Sequence, residues 1–175
     1  FHAGSAKPVG EKPIIVKSDP AAGPRHIIFS PTRPFGYVIE EMSGKVAVIS
    51  TKNGKFEQIQ TIVSHPASDG NDIGSSAIKL SADGKWLYAS NRGSSNSITT
   101  YSVDGATGKL TLKGTVKSGG KGPRDFSIDP SGKFIVAGNG ESDNLTLFKI
   151  NKSNGLPEPT GKQETVESPV CIVFL

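Results

Sequence analysis

The feature that most constrains the fold of this chain is an internal repeat. Residues 78–88 (IKLSADGKWLY) recur as residues 126–136 (FSIDPSGKFIV), and residues 26–37 form an earlier, degenerate copy. Aligning the three copies gives spacings of 51 and 48 residues. These spacings are close to the period of about 40 to 50 residues that is typical of β-propeller blades. The sequence therefore predicts a chain built from repeated supersecondary units.

Each copy of the repeat indicates four short antiparallel strands, A to D. In the second copy strand A includes residues 78–80, and strand B follows at residues 86–90 after an Asp-Gly pair that favours a tight hairpin. The further strands predicted in this way are C at 97–103 and D at 110–117, with matching C strands at 45–50 and 144–150. No segment shows a sustained helical period, so the predicted class is all-β, a β-propeller of four-stranded antiparallel blades.

The repeat also predicts how the chain is divided. Three complete blades are expected at residues 24–73, 74–122 and 123–168. Residues 1–23 would end a preceding blade, with its outermost strand at 13–17, and residues 169–175 would hold the innermost strand of a closing blade, at 170–175. Three blades and two single strands cannot close a ring of four to eight blades. The expected partner is therefore the missing N-terminal half of the propeller, from the same or a separate chain.

Composition argues against several classes of function. The net charge is +4, and the lysines are spread over turns rather than gathered in the contiguous basic patch that binds nucleic acid. No apolar run approaches the roughly 18 residues that span a bilayer, so no membrane partner is expected. The lone Cys171 excludes an internal disulfide and a cysteine metal cluster. Because it lies in an apolar run, it is expected to be buried.

Four charged residues are predicted to share one rim of the ring. Strand B returns antiparallel to strand A, so the start of A and the end of B lie together. Arg25 and Arg124 begin strands A, while Glu41 and Arg92 follow strands B. Guanidinium groups bind carboxylate or phosphate in bidentate fashion, and a carboxylate among them is a candidate general base. The alternative is structural: the arginines cap loops or bridge blades, with Glu41 as their ion-pair partner.

Two further residues, His26 and Glu40, lie next to these charged positions in the sequence. His26 alternates with apolar residues, so it faces either the channel or the core. Glu40 precedes Glu41 and is expected on the opposite face of its strand. The sequence has no histidine pair at metal-ligand spacing, no serine nucleophile elbow and no glycine-rich phosphate loop. No metal and no cofactor is therefore predicted.

At these same positions the sequence resembles the lactonase family of seven-bladed propellers. That family includes the bacterial propeller type of 6-phosphogluconolactonase and the fungal carboxymuconate lactonizing (cyclase) enzyme. The motifs that carry the resemblance are residues 23–26 (GPRH), 37–41 (YVIEE), 87–93 (LYASNRG), 122–126 (GPRDF) and 168–171 (SPVC). They occur in family order over nearly the whole chain from residue 23 onward.

The resemblance implies roles for the rim residues. Arg25, Glu41 and Arg92 correspond to catalytic residues of the family, and Arg124 corresponds to a binding residue. His26 is a second candidate for substrate binding. The family also has a histidine motif in an earlier blade, which this sequence does not contain. Where the family usually has Asn-Glu-Leu, this chain has Glu-Glu-Met at residues 40–42, which leaves Glu41 in register.

Three functions are compatible with these sequence motifs. The leading hypothesis is hydrolysis of a small anionic sugar lactone, foremost 6-phosphogluconolactone to 6-phosphogluconate, by the complete propeller. The second is a muconate-type lactonizing cycloisomerase that uses the same glutamate on a carbon acid. The third is a non-catalytic propeller that serves as an interaction scaffold. The resemblance implies a cytoplasmic location, with a periplasmic one as the alternative.

Overall fold

The computed structural model describes residues 14–66, 68, 70, 72 and 74–174. In these residues twelve strands form three four-stranded antiparallel sheets, here called the first, second and third blade. The first blade contains β1 (Pro24–Phe29), β2 (Phe35–Glu40), β3 (Lys45–Ser50) and β4 (Glu57–Val63). The second contains β5 (Ser75–Leu80), β6 (Trp86–Asn91), β7 (Ser97–Val103) and β8 (Leu110–Lys117). The third contains β9 (Pro123–Ile128), β10 (Phe134–Asn139), β11 (Asn144–Ile150) and β12 (Pro157–Thr165).

The strand order confirms the predicted all-β class and its four-stranded antiparallel blades. Within each blade the spatial order follows the chain order, so every connection joins neighbouring strands. A single 3₁₀ turn, Lys52–Gly54, lies between β3 and β4. The first strands of adjacent blades lie side by side, β1 against β5 and β5 against β9. These strands are therefore the innermost ones, where the blades converge.

The apolar cores lie between the blades, and neighbouring residues of one strand therefore enter different cores. Ile78 packs with Tyr37 of the first blade, whereas Ala77 packs with Phe126 of the third. This division follows from the alternation of side chains across a strand. The second blade is consequently buried on both faces, and burial of this apolar area holds the blades side by side.

The turns between the first two strands of the second and third blades use glycine in the left-handed region. Gly84 has φ 69° and Gly132 has φ 67°, a conformation that costs glycine little and other residues more. Gly84 N donates to Ser81 O at 2.8 Å, and Gly132 N donates to Asp129 O at 2.8 Å. These turns lie at the end of the blades away from Arg25 and Glu41, as the sequence predicted.

The two terminal segments that the repeat predicted as single strands have no partner strand among the described residues, and their place in a blade stays a prediction. Residues 14–17 and 170–174 form no ladder with any other described strand, while residues 13 and 175 lie outside the described residues. A strand is defined by hydrogen bonds to a neighbour, and no strand that could supply them lies beside either segment in the described part of the chain.

The segment from 169 to 174 nevertheless has a fixed place against the third blade. Ile172 N donates to Asp125 Oδ2 at 2.9 Å. A side chain at Gly138 would lie 3.2 Å from Pro169 O, so glycine permits this close approach. Cys171 is exposed, which contradicts the prediction that it is buried. It alternates with the half-buried Ile172, and none of the described elements covers its side of the segment.

Candidate active site

The register of the innermost strands builds one rim. The first residue of the innermost strand pairs with the last residue of the second strand, as Pro24 pairs with Glu40 and Ser75 with Asn91. The residues that follow Glu40 and Asn91 in the chain therefore leave the sheets at the same rim. The same register in the third blade pairs Pro123 with Asn139. Antiparallel pairing thus gathers residues that are far apart in the sequence.

Glu41 lies between two arginines that come from different blades. Its Oε2 atom is 3.4 Å from Nε of Arg25 in the first blade. Its Oε1 atom accepts a hydrogen bond from Nη2 of Arg92 in the second blade. The three side chains are partly shielded from solvent, with 34% of Glu41, 16% of Arg25 and 20% of Arg92 exposed. The arrangement is a half-buried carboxylate flanked by cations, which strengthens each contact relative to open water.

The main chain around Glu41 is fixed by the segment that precedes β1. Glu41 N donates to Gly23 O at 2.7 Å, and Met42 N donates to Ala22 O at 3.0 Å. Gly23 has φ 67°, and a side chain there would lie 2.7 Å from Cγ of Met42. The Gly-Pro-Arg motif therefore uses its glycine to bring the entrance to β1 against the turn that carries Glu41.

Arg25 connects the rim across blades. Its Nη1 atom donates to Ser76 O at 2.9 Å, and the Ser76 hydroxyl donates to Arg124 O at 2.7 Å. Burial lowers the pKa of Arg25 below its ordinary value, and Arg92 and Arg124 lower it further, while Glu41 opposes the shift. Arginine remains protonated despite such a shift. Arg25 is therefore a permanent cation at the junction of the first two blades.

His26 lies beside Arg25 and outside the apolar core. Its side chain is exposed, which resolves the choice between core and channel against the core. Its Nε2 atom is 3.2 Å from Nη1 of Arg25. Partial burial lowers the pKa of His26, and the charge of Arg25 lowers it further, while Asp125 opposes the shift. The neutral imidazole is favoured because protonation would place two cations in contact.

Arg124 occupies the equivalent place in the third blade but does not join the ion pairs. It is exposed, and among the described residues its guanidinium makes no ion pair. The structure therefore brings Arg25, Glu41 and Arg92 together, with His26 in contact and Arg124 one blade away. The sequence predicted four charged residues on one rim, and three of them form ion pairs while Arg124 stands apart; the roles of these residues stay predictions.

A further ion pair near the site was not predicted from the sequence. Nζ of Lys79 lies 3.2 Å from Oδ1 of Asp125. Asp125 is almost buried, and its other oxygen accepts from Ile172 N. Asp125 is part of the GPRDF motif, so its place after Arg124 was a usable signal. Lys79 alternates with apolar residues in β5, and nothing in that pattern indicates a contact with Asp125.

One concave surface of the described residues lies away from Glu41. A groove between the second and third blades is lined by Lys85, Trp86, Tyr88, Ile150 and Lys152, at the rim opposite Glu41. In the described residues no group of three or more histidine, cysteine, aspartate or glutamate side chains is placed to hold a metal ion. No helix among those residues is long and apolar enough to cross a membrane.

Comparison with known proteins identifies the family. The model of the family described as "Lactonase, 7-bladed beta-propeller" matches residues 3–174. The chain belongs to this family. The prediction from the sequence motifs is thus confirmed, and the three blades form part of a propeller of this kind.

Curated members of the family share the match. The chain is 37% identical to 6-phosphogluconolactonase of Bacillus subtilis over 158 residues, which is 89% of this chain and 45% of that protein. It is 36% identical to 6-phosphogluconolactonase of Formosa agariphila over 146 residues, which is 83% of this chain and 41% of that protein. The chain therefore spans less than half the length of these relatives.

A solved structure has the same fold. The periplasmic gluconolactonase PpgL of Pseudomonas aeruginosa matches with a TM-score of 0.84 at 37% identity. The match covers 88% of this chain and 43% of that protein. The three blades are therefore similar in arrangement to the matched part of that protein.

Proposed function

We propose that this chain forms part of a lactonase that hydrolyses an anionic sugar lactone, most specifically 6-phosphogluconolactone to 6-phosphogluconate. The observation that carries the proposal is the position of Glu41 between Arg25 and Arg92 at the junction of two blades. A carboxylate and two fixed guanidinium groups suit an anionic ester that must be bound, polarised and attacked by water. The names of the relatives support this class of substrate.

The proposed reaction uses the two arginines first. The anionic group of the lactone competes with Glu41 for the guanidinium of Arg25 or Arg92, and the remaining N–H donors face the carbonyl oxygen. Charge that develops on this oxygen during attack is stabilised by these donors. Arg25 is already fixed through Ser76 O at 2.9 Å, so its position requires little reorganisation.

Glu41 then acts on water. The water oxygen bonds to the carbonyl carbon, and the water proton moves to the Glu41 carboxylate. The bond between the carbonyl carbon and the ring oxygen breaks, and the proton passes to that oxygen, which leaves as a hydroxyl group. The product is the open-chain acid. His26, neutral because of its lowered pKa, and Arg124 are proposed to bind the substrate outside the reacting atoms.

The remaining blades are proposed to come from further polypeptide, in the same or a separate chain. The chain covers 45% of the Bacillus subtilis relative, and the family description specifies seven blades. A histidine from one of these blades, implied by the family resemblance, is proposed to assist Glu41. We propose a cytoplasmic location; the Pseudomonas aeruginosa protein, which is described as periplasmic, supports the alternative.

The proposal is tested on the full-length protein, after native mass measurement and denaturing mass analysis have identified every polypeptide in the preparation. Release of acid is measured with 6-phosphogluconolactone and with the unphosphorylated gluconolactone, and loss of the conjugated diene absorbance is measured with a muconate. We expect the highest kcat/KM with the phosphorylated lactone. Preference for the unphosphorylated lactone would overturn the specific substrate but keep the reaction. Turnover of the muconate alone would favour the cycloisomerase, and no turnover of any substrate would favour an interaction scaffold.

A further inference from the structure

Asn91 is a buried polar residue whose side chain joins two blades. It is the last residue of β6 and only 1% exposed. Its Nδ2 atom donates to Ser64 O at 2.5 Å and to Thr99 Oγ1 at 3.2 Å. Its Oδ1 atom accepts from Ser75 Oγ at 2.7 Å and from Ser64 Oγ. Every donor and acceptor of the amide is used, as a buried amide requires.

The hydrogen bonds of Asn91 lead to the turn that carries Glu41. Ser64 follows the last strand of the first blade, and its N donates to Gly44 O at 2.8 Å. Gly44 N in turn donates to Glu40 O at 3.1 Å. Arg92 follows Asn91 directly in the chain. The path from Arg92 through Asn91, Ser64 and Gly44 therefore joins the same two blades as the ion pair between Arg92 and Glu41.

We infer that Asn91 is a positioning residue that sets the distance between Arg92 and Glu41. The inference rests on the proposed function, because it assigns the pair a task in catalysis. Asn91 does not touch the reacting atoms. It fixes the ends of two strands in different blades, and these ends carry the two charged residues. A small displacement of either end separates the guanidinium from the carboxylate, and such displacements reduce rates strongly.

The junction between the second and third blades supplies a matched control. Asn139 is fully buried at the end of β10, and its Nδ2 atom is 3.5 Å from Ser118 O. Ser118 N donates to Asn96 O at 2.8 Å, as Ser64 N donates to Gly44 O. The residue after Asn139 is Gly140, which has no side chain, so this junction has no equivalent of the ion pair that Arg92 forms after Asn91. Substitutions at Asn139 therefore report the structural cost alone.

The first experiment compares Asn91→Asp with Asn139→Asp in the full-length protein. Each substitution replaces an N–H donor by an oxygen that faces a serine carbonyl, with almost no change in shape. We expect both variants to lose thermal stability, and Asn139→Asp to lose less, because its amide is 3.5 Å from Ser118 O and its Oδ1 has no hydrogen-bond partner among the described residues. We expect kcat for 6-phosphogluconolactone to fall about tenfold or more in Asn91→Asp relative to Asn139→Asp, with a smaller change in KM. Equal kcat values in the two variants would overturn the inference.

A second pair of substitutions, which perturb the structure less, tests the inference if Asn91→Asp does not fold. The Thr99 hydroxyl donates to Ser64 O at 2.6 Å, and the Thr146 hydroxyl donates to Ser118 O at 2.6 Å. Thr99→Val removes the second donor at the first junction, and Thr146→Val does so at the second. The same difference in kcat is expected, at a smaller size. Equal loss of kcat in both valine variants would contradict a positioning role.

A crystal structure of each variant separates this inference from the proposed function. We expect the contact between Arg92 and Glu41 to open beyond about 4 Å, the ion-pair limit, in the Asn91 or Thr99 variant and to persist in its control. An intact contact would overturn the positioning role even if the protein is a lactonase. An opened contact in a protein without lactonase activity would keep the positioning role and reject the proposed function.

Discussion

The two junctions between blades are built alike but carry different rim residues. In both, a buried tyrosine hydroxyl donates to a glycine carbonyl of the next blade: Tyr37 to Gly108 at 3.1 Å and Tyr88 to Gly155 at 2.9 Å. Both junctions also enclose an apolar core. At the rim they differ, because the first junction carries Glu41 with Arg92, whereas the corresponding positions of the second are Arg92 and Gly140.

The difference separates the residues that form the fold from those that form the site. Residues that repeat between blades, such as Tyr37 and Tyr88, make contacts that every junction needs. Two residues of the ion pairs, Glu41 and Arg92, have no equivalent in the next blade, whereas Arg25 recurs as Arg124. Glu41 has an arginine and a glycine as its counterparts in the next two blades. In a protein built from repeats, candidate site residues are therefore those that differ between the repeats, such as Glu41. The residues that the repeats share form the fold.

The largest expected effect tests whether the first junction alone is catalytic. Glu41→Gln keeps the shape of the side chain but removes its charge and its basicity. We expect kcat for lactone hydrolysis to fall by about 100-fold or more, the size expected for loss of a general base. Glu141→Gln, on the exposed rim of the third blade, is the matched control and should leave kcat unchanged. A Glu41→Gln kcat within a factor of about two of the parent would remove Glu41 from the mechanism.

A smaller effect is expected from pH, through His26 at the first junction. The pKa of His26 in the folded protein is lowered from its ordinary 6.5. As pH falls through the lowered pKa, a protonated ring repels Arg25, and we expect kcat/KM to fall by less than about tenfold because this exposed contact is screened. The His26→Gln variant should lose this acid limb. An unchanged acid limb in that variant would assign the pH dependence to another group.

The lowered pKa of His26 also predicts how the free energy of unfolding changes with pH. Because the folded pKa of His26 is depressed, the unfolded chain takes up the proton first as pH falls below about 6.5. The free energy of unfolding should therefore fall between the ordinary pKa and the folded pKa, and level off below it. The slope should be shallower in His26→Gln. Denaturant titrations across this range measure it.

The smallest expected effect tests whether the tyrosine hydrogen bonds of the two junctions contribute equally to stability. Burial raises the pKa of Tyr37 to about 12, and it raises the pKa of Tyr88 as well, so both hydroxyls remain donors. Tyr37→Phe and Tyr88→Phe should each lower the free energy of unfolding by about 1 kcal/mol, with kcat unchanged. Clearly unequal costs, or a loss of kcat in either variant, would show that the junctions are not equivalent.

Several elements were predictable from the sequence because they depend on local rules. The bounds predicted for β3, β7, β8 and β11 match the structure, since alternation and turn residues mark both ends of each strand. The grouping of Arg25, Glu41 and Arg92 was predictable because antiparallel pairing fixes which strand ends share a rim. Both predictions needed the repeat register and no knowledge of side-chain contacts.

Other features could not be predicted because they depend on contacts between blades. The hydrogen bonds of Asn91 involve Ser64, 27 residues earlier in the chain, and no local pattern marks the pair. The exposure of Cys171 was predicted wrongly, because an apolar run indicates burial only where a neighbour covers it.

The sequence by itself determined the blade, its strand order and the rim on which the charged residues lie. These follow from periodicity and from the geometry of antiparallel pairing, which act over a few tens of residues. Only the tertiary structure decided that Glu41 bridges arginines of two blades, that His26 leaves the core and that Asn91 bonds to Ser64 of the first blade. Those outcomes depend on how one blade packs against the next, and that packing is set by side chains distant in the chain.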